Sequence, residues 1–126
     1  MKTPKFSVGS LVSFNSEIYE ILEIISTKEG FSYKAELRAY LREPSVSEWE
    51  NQLYPSEAII EEEKLNSFEH NKPKFKLGER VKLPYFACKV RFIQFENYHY
   101  EYHVMNETHD GSISHGWMVE EGYLSK

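Results

Sequence analysis

The sequence is poor in the residues that cross-link or punctuate a chain. Cys88 is the one cysteine among 126 residues, so no internal disulfide can form and a reducing, cytoplasmic setting is expected. Six glycines and five prolines are too few for a collagenous or low-complexity chain. Charges interrupt every apolar run well before the roughly 18 residues of a membrane span, so no membrane association is expected. No apolar stretch follows Met1-Lys2-Thr3-Pro4, and no secretory leader is expected. Basic residues are in the minority, 15 against 20 acidic for a formal charge of −5. That balance argues against a dedicated duplex-DNA binder. Aromatic residues, in contrast, are plentiful: nine Tyr, eight Phe and two Trp, 15% of the chain. Such a composition builds cores and excludes wholesale disorder.

The chain repeats itself. Pro4-Lys5-Phe6-Ser7-Val8-Gly9-Ser10-Leu11-Val12 returns as Pro73-Lys74-Phe75-Lys76-Leu77-Gly78-Glu79-Arg80-Val81, an offset of 69. The offset holds without a gap through Ile21 and Val90, Tyr33 and Tyr102, and Ala35 and Val104. Later, residues 56–60 match residues 120–124 at an offset of 64, which gives the first repeat about five extra residues. The expected organisation is a first unit over 1–62, a polar linker over 63–72 and a second unit over 73–126. Leu65 and Phe68 are the linker's only apolar residues.

Each unit reads as strands. Phe31, Tyr33, Ala35, Leu37, Ala39 and Leu41 alternate with polar neighbours, the period of a half-buried strand. Residues 17–26 fit a helix template, with Ile18, Ile21, Leu22 and Ile25 at i, i+3, i+4 and i+7. Their counterparts, Cys88, Val90 and Phe92 against Lys89 and Arg91, alternate as a strand does, and two copies of one fold share their element types. Strands are therefore expected in both. Ser47-Glu48-Trp49-Glu50 carries a capping box, which predicts a short helix at about 48–53 inserted in the first unit.

With Phe-x-(Val/Leu)-Gly-x-x-Val at its start, a long hairpin in its middle and Trp117-Met118-Val119-Glu120-Glu121-Gly122-Tyr123-Leu124 at its end, the chain resembles the SH3-like barrel superfamily, including Tudor and KOW-type modules. The resemblance implies a mainly β protein of two tandem five-stranded barrels. It implies no particular activity, because that architecture hosts many.

Candidate chemistry is sparse. Cys88 falls at an inward strand position, where it behaves as a small hydrophobe. The carboxylate runs at residues 61–63 and 120–121 lack the apolar pocket that splits a catalytic pair, and Gly-rich phosphate loops are missing. No enzyme and no cofactor are expected. His99, Glu101 and His103 share one strand face and form a weak metal alternative. Neighbouring members stand roughly 6.5–7 Å apart, but the two histidines, roughly 13 Å apart, cannot share an ion directly.

Binding is the remaining class, and the partner expected is a protein or peptide. Tyr85 and Phe86 replace the polar Ser16 and Glu17 of the first repeat. Either they lid the second barrel or they open a ligand surface, with Tyr98 or Trp117 completing an aromatic cage. In the first unit Trp49 and Tyr54 are the candidates. The alternative partner is single-stranded nucleic acid. Residues 1–63 carry 6 basic and 12 acidic residues and residues 64–126 carry 9 and 8, so the second unit is the less acidic. Lys74, Lys76 and Lys82 lie near Tyr85 and Phe86 there, the mixture that strand binding asks for.

Overall fold

Gly9 and Gly78 make the same turn twice. The computed structural model describes residues 3–45, 47–48, 56–84, 86–107 and 113–126, and in it the two glycines take φ of +91° and +81°. Side chains resist that region. Each glycine then donates its N–H at 2.8 Å to a strand carbonyl, Gly9 to Ile21 and Gly78 to Val90. The duplication read in the sequence is thus a duplication of backbone geometry.

The fold is mainly β, an open sheet. In the first repeat β1 (Leu11–Phe14), β2 (Glu17–Thr27), β3 (Gly30–Tyr40) and β4 (Glu57–Glu61) are followed by a 3-10 turn, Glu62–Lys64, and a two-residue β5 (Asn66–Ser67). β5 returns to pair with β1. In the second, β6 (Arg80–Leu83), β7 (Phe86–Glu96), β8 (His99–Glu107) and β9 (Ile113–Glu120) lead to a 3-10 turn, Glu121–Tyr123. Ser125 then bridges back to Lys82 as β5 does to β1. Asn15-Ser16 and Asn97-Tyr98 close tight hairpins with both residues at positive φ, the turn whose twist matches that of the strands it joins.

One expectation changes, and one lies largely outside the described residues. The 3-10 turns begin at Glu62 and Glu121, so the ends of the repeats match at an offset of 59, not 64. The first repeat carries ten extra residues rather than five, and a run of glutamates had offered a false register. Glu63 and Lys64, at the start of the expected linker, lie in this turn. The helix expected at about 48–53 lies, beyond Glu48, outside the described residues. The reciprocal cap that is described joins Ser45 and Glu48: each backbone N–H donates to the other's side chain, at 3.0 and 3.3 Å. Arg42 donates to both oxygens of Glu48, at 2.8 and 2.5 Å. That pairing and the Ser45 N–H hold the carboxyl down at about 2.

β2 is a strand despite its helical spacing, and bulges explain why. Its register against β3 shifts between Ile18 and Tyr19 and again between Ile21 and Glu23. At the first shift the extra residue is Arg38 of β3, and at the second it is Leu22 of β2. The Leu22 bulge reverses which face the following β2 side chains take, so the strand loses its simple period of two.

The two repeats share one apolar cluster, from Val12, Ile21 and Tyr33 to Val90, Ile93 and Tyr102. Tyr40 at the end of β3 pairs in parallel with Gln94 of β7, and its ring meets Phe92 edge-on at 6.4 Å. The face of β3 expected to be solvated is covered: Glu36, Arg38 and Tyr40 are 7%, 4% and 3% exposed. Arg38 donates to Glu20 and, at 2.8 Å, to the Pro73 carbonyl. Lys72 pairs with Glu20 at 3.3 Å and Lys76 with Glu36 at 3.4 Å. Buried charge survives here because each group has an opposite or polar partner.

Candidate binding cleft

A latch occurs in each repeat where the lead-in segment meets the closing 3-10 turn. The Tyr33 hydroxyl donates to Glu62 and accepts from the Phe6 N–H at 3.3 Å, while the Lys5 N–H donates to Glu62 at 2.9 Å. The Tyr102 hydroxyl does the same with Glu121 and the Phe75 N–H, at 3.4 Å for the latter, and the Lys74 N–H donates to Glu121 at 2.9 Å. Phe6 and Phe75 meet their tyrosines edge-on at 5.6 and 5.8 Å. Burial, then the carboxylate, pushes both phenols up, so they remain donors at any physiological pH.

Beside each latch, under the tip of the long hairpin, lies a cleft. The first, about 500 Å³, is lined by charged residues such as Lys5, Lys28, Glu29 and Glu63, with Phe31 as its aromatic wall. The second, about 490 Å³, has His70, Phe95, Tyr98, His99 and Tyr100 together with Asn71, Lys72, Glu120 and Glu121. One position of a duplicated fold thus carries a single aromatic residue in one repeat and several in the other.

The aromatic wall is assembled from the linker and the hairpin. Phe68 meets Phe95 edge-on at 5.1 Å, His70 lies 4.9 Å from Phe95 and 6.0 Å from Tyr98, and Phe95 meets Tyr100 at 5.0 Å. Tyr100 donates to the Asn71 carbonyl at 2.6 Å, and burial pushes its phenol up to about 12. At the rim Tyr98 is 85% exposed with φ +65°. An aromatic residue in the left-handed region is a backbone outlier. His99 faces two acceptors, the Asn97 carbonyl at 3.1 Å and Glu101 at 3.2 Å. These bonds, the carbonyl first, raise its pKa and favour the imidazolium, which alone donates from both nitrogens. Glu101 and Glu120 are direct cross-strand partners, an arrangement of like charge that costs stability.

The residues singled out from sequence are scattered. Trp49, Tyr54 and Tyr85 lie outside the described residues, and Phe86 is described only as backbone at the start of β7. Trp117 stands on β9 opposite Val104, 39% exposed, away from the cleft beside Tyr98. Lys74 and Lys82 are exposed, whereas Lys76 is engaged by Glu36. His99 and Glu101 are bonded to each other, but His103 lies elsewhere, stacked on Phe92 at 4.7 Å and 2°. Among the described residues no three His, Cys, Asp or Glu side chains are grouped to hold a metal ion. Also among them, no helix is long and apolar enough to cross a membrane. Cys88 is fully buried, and burial raises its thiol pKa, which leaves it a weak nucleophile.

Sequence reasoning singled out Tyr98 but missed His70 and Phe95. His70 lies in a tract read as linker, and only the fold brings it under the hairpin. No protein-family model matches the chain, and no curated protein or solved structure matches it.

Proposed function

We propose that the chain is two tandem SH3-like barrels and works as a non-catalytic, cytoplasmic protein- or peptide-binding module through the cleft of its second repeat. The strand order β5-β1-β2-β3, with β4 on β3, supports the barrel reading, because short return strands and a 3-10 turn are how such small barrels close. One observation carries the binding reading: Tyr98, an exposed aromatic held in a costly backbone conformation over an aromatic wall. Strain of this kind persists where it has a use.

The cleft suits a basic side chain on an extended peptide. Its aliphatic stem would lie on Tyr98, Phe95 and His70, and its charge would reach Glu120, relieving the opposed Glu101–Glu120 pair. Ring faces and carboxylates both attract such a cation. The test is selection of peptides from a displayed random library on the full chain and on Tyr98→Ala. Enrichment of lysine- or arginine-bearing peptides by the wild type alone supports the reading. Salt-sensitive retention of a single-stranded oligonucleotide, abolished when Lys74, Lys76 and Lys82 are changed to Glu, supports nucleic acid instead.

A further inference from the structure

The two repeats use one sheet face differently. In the first, Leu11, Glu20 and Glu36 form a rung across β1, β2 and β3, and Ser13 and Ile18 form the next. The second repeat docks on this face: Leu11, Ile18 and Glu36 are buried, and Lys72 and Lys76, four residues apart, reach Glu20 and Glu36. In the second repeat the equivalent rungs are Arg80, Lys89 and Met105, then Lys82 and Ala87. Met105 is buried, but Arg80, Lys82, Ala87 and Lys89 are exposed. An apolar and acidic docking face has become a basic one: Lys89 stands where Glu20 does, and Arg80 where Leu11 does.

We propose that this β6–β7 face docks a short acidic segment of a partner protein, laid across it as residues 72–76 lie across the first repeat. The intramolecular contact shows that the equivalent face of the first repeat accepts a short segment, bent at Lys74 and Phe75, whose charges at i and i+4 are opposite to its own. Charge also decides against the equivalent segment of a second copy as the occupant, because that segment is Thr3-Pro4-Lys5-Phe6-Ser7, whose only charge is positive. The surface is separate from the Tyr98 cleft and does not depend on it.

The probe is a fluorescein-labelled peptide alternating glutamate with valine, seven residues long, titrated into the full chain in low salt. The expected result is saturable binding with amide shifts in β6 and β7, weakened at least tenfold in Lys82→Glu/Lys89→Glu. Lys89→Gln should weaken it less, and Tyr98→Ala should leave it unchanged. Both lysines are exposed, and an unaltered melting curve verifies that the variants fold. Absence of shifts in β6 and β7 at millimolar peptide overturns the proposal. So does equal or tighter binding of a thymidine oligonucleotide of matched charge, which marks a general polyanion surface. Loss of peptide binding in Tyr98→Ala would place the site in the cleft and likewise overturn it.

Discussion

His103 illustrates how one side chain fixes its neighbours. Its ring lies flat on Phe92 and passes so close over Gly116 that a β-carbon there would stand 2.5 Å from it. Gly116→Ala should therefore push the ring off Phe92 and cost about 1–3 kcal/mol, the range for overpacking, measured by urea unfolding. Burial, and then Arg91, lowers the His103 pKa, so the folded protein prefers the neutral ring. The unfolded chain takes up a proton near pH 6.5 while the native ring does not. The contribution of His103 to stability should thus be full above pH 6.5 and fall as pH drops toward the native value. His103→Gln should flatten that part of the profile. Arg38 is the second decisive residue, since it ties Glu20 to the lead-in of the second repeat. Arg38→Ala leaves a carboxylate short of its partner and should cost about 3 kcal/mol or more.

At the scale of elements, the β7–β8 hairpin separates stability from binding. Tyr98 pays roughly 1–2 kcal/mol for its left-handed backbone, a cost glycine avoids. Tyr98→Gly should leave the melting temperature unchanged or raise it while removing peptide binding; a fall of several degrees would mean that Tyr98 is structural. Elements were also where sequence was most and least legible. Tyr33 and Tyr102 could be placed inward from alternation alone, because each strand reports its own period. Burial of Glu36, Arg38 and Tyr40 could not be read that way, since what covers them comes from the other repeat. The bulge at Leu22 broke the alternation by which β2 would have been read as a strand. For the cleft, Tyr98 was visible beside a turn, whereas His70 joins it only through the path of the linker.

For the molecule as a whole, duplication followed by unequal use is the governing theme. Both repeats keep the glycine turn and the tyrosine–glutamate latch, whereas the hairpin cleft and the outer sheet face have diverged. The contact between repeats is head to tail, β3 of the first against β7 of the second. In the second repeat the edge equivalent to β3 is taken by β9, which pairs along β8 as far as Glu107. Because one apolar cluster runs through both repeats, urea should unfold them in a single transition seen alike by tryptophan fluorescence and circular dichroism. Two separated transitions would show independent units. The most direct measurement of the central claim is an amide-shift titration of the isotope-labelled chain with a library-selected basic peptide. The expected shifts cluster at His70, Phe95, Tyr98, His99, Tyr100 and Glu120 and vanish in Tyr98→Ala at unchanged stability. Shifts elsewhere, or undiminished affinity in that variant, would contradict it.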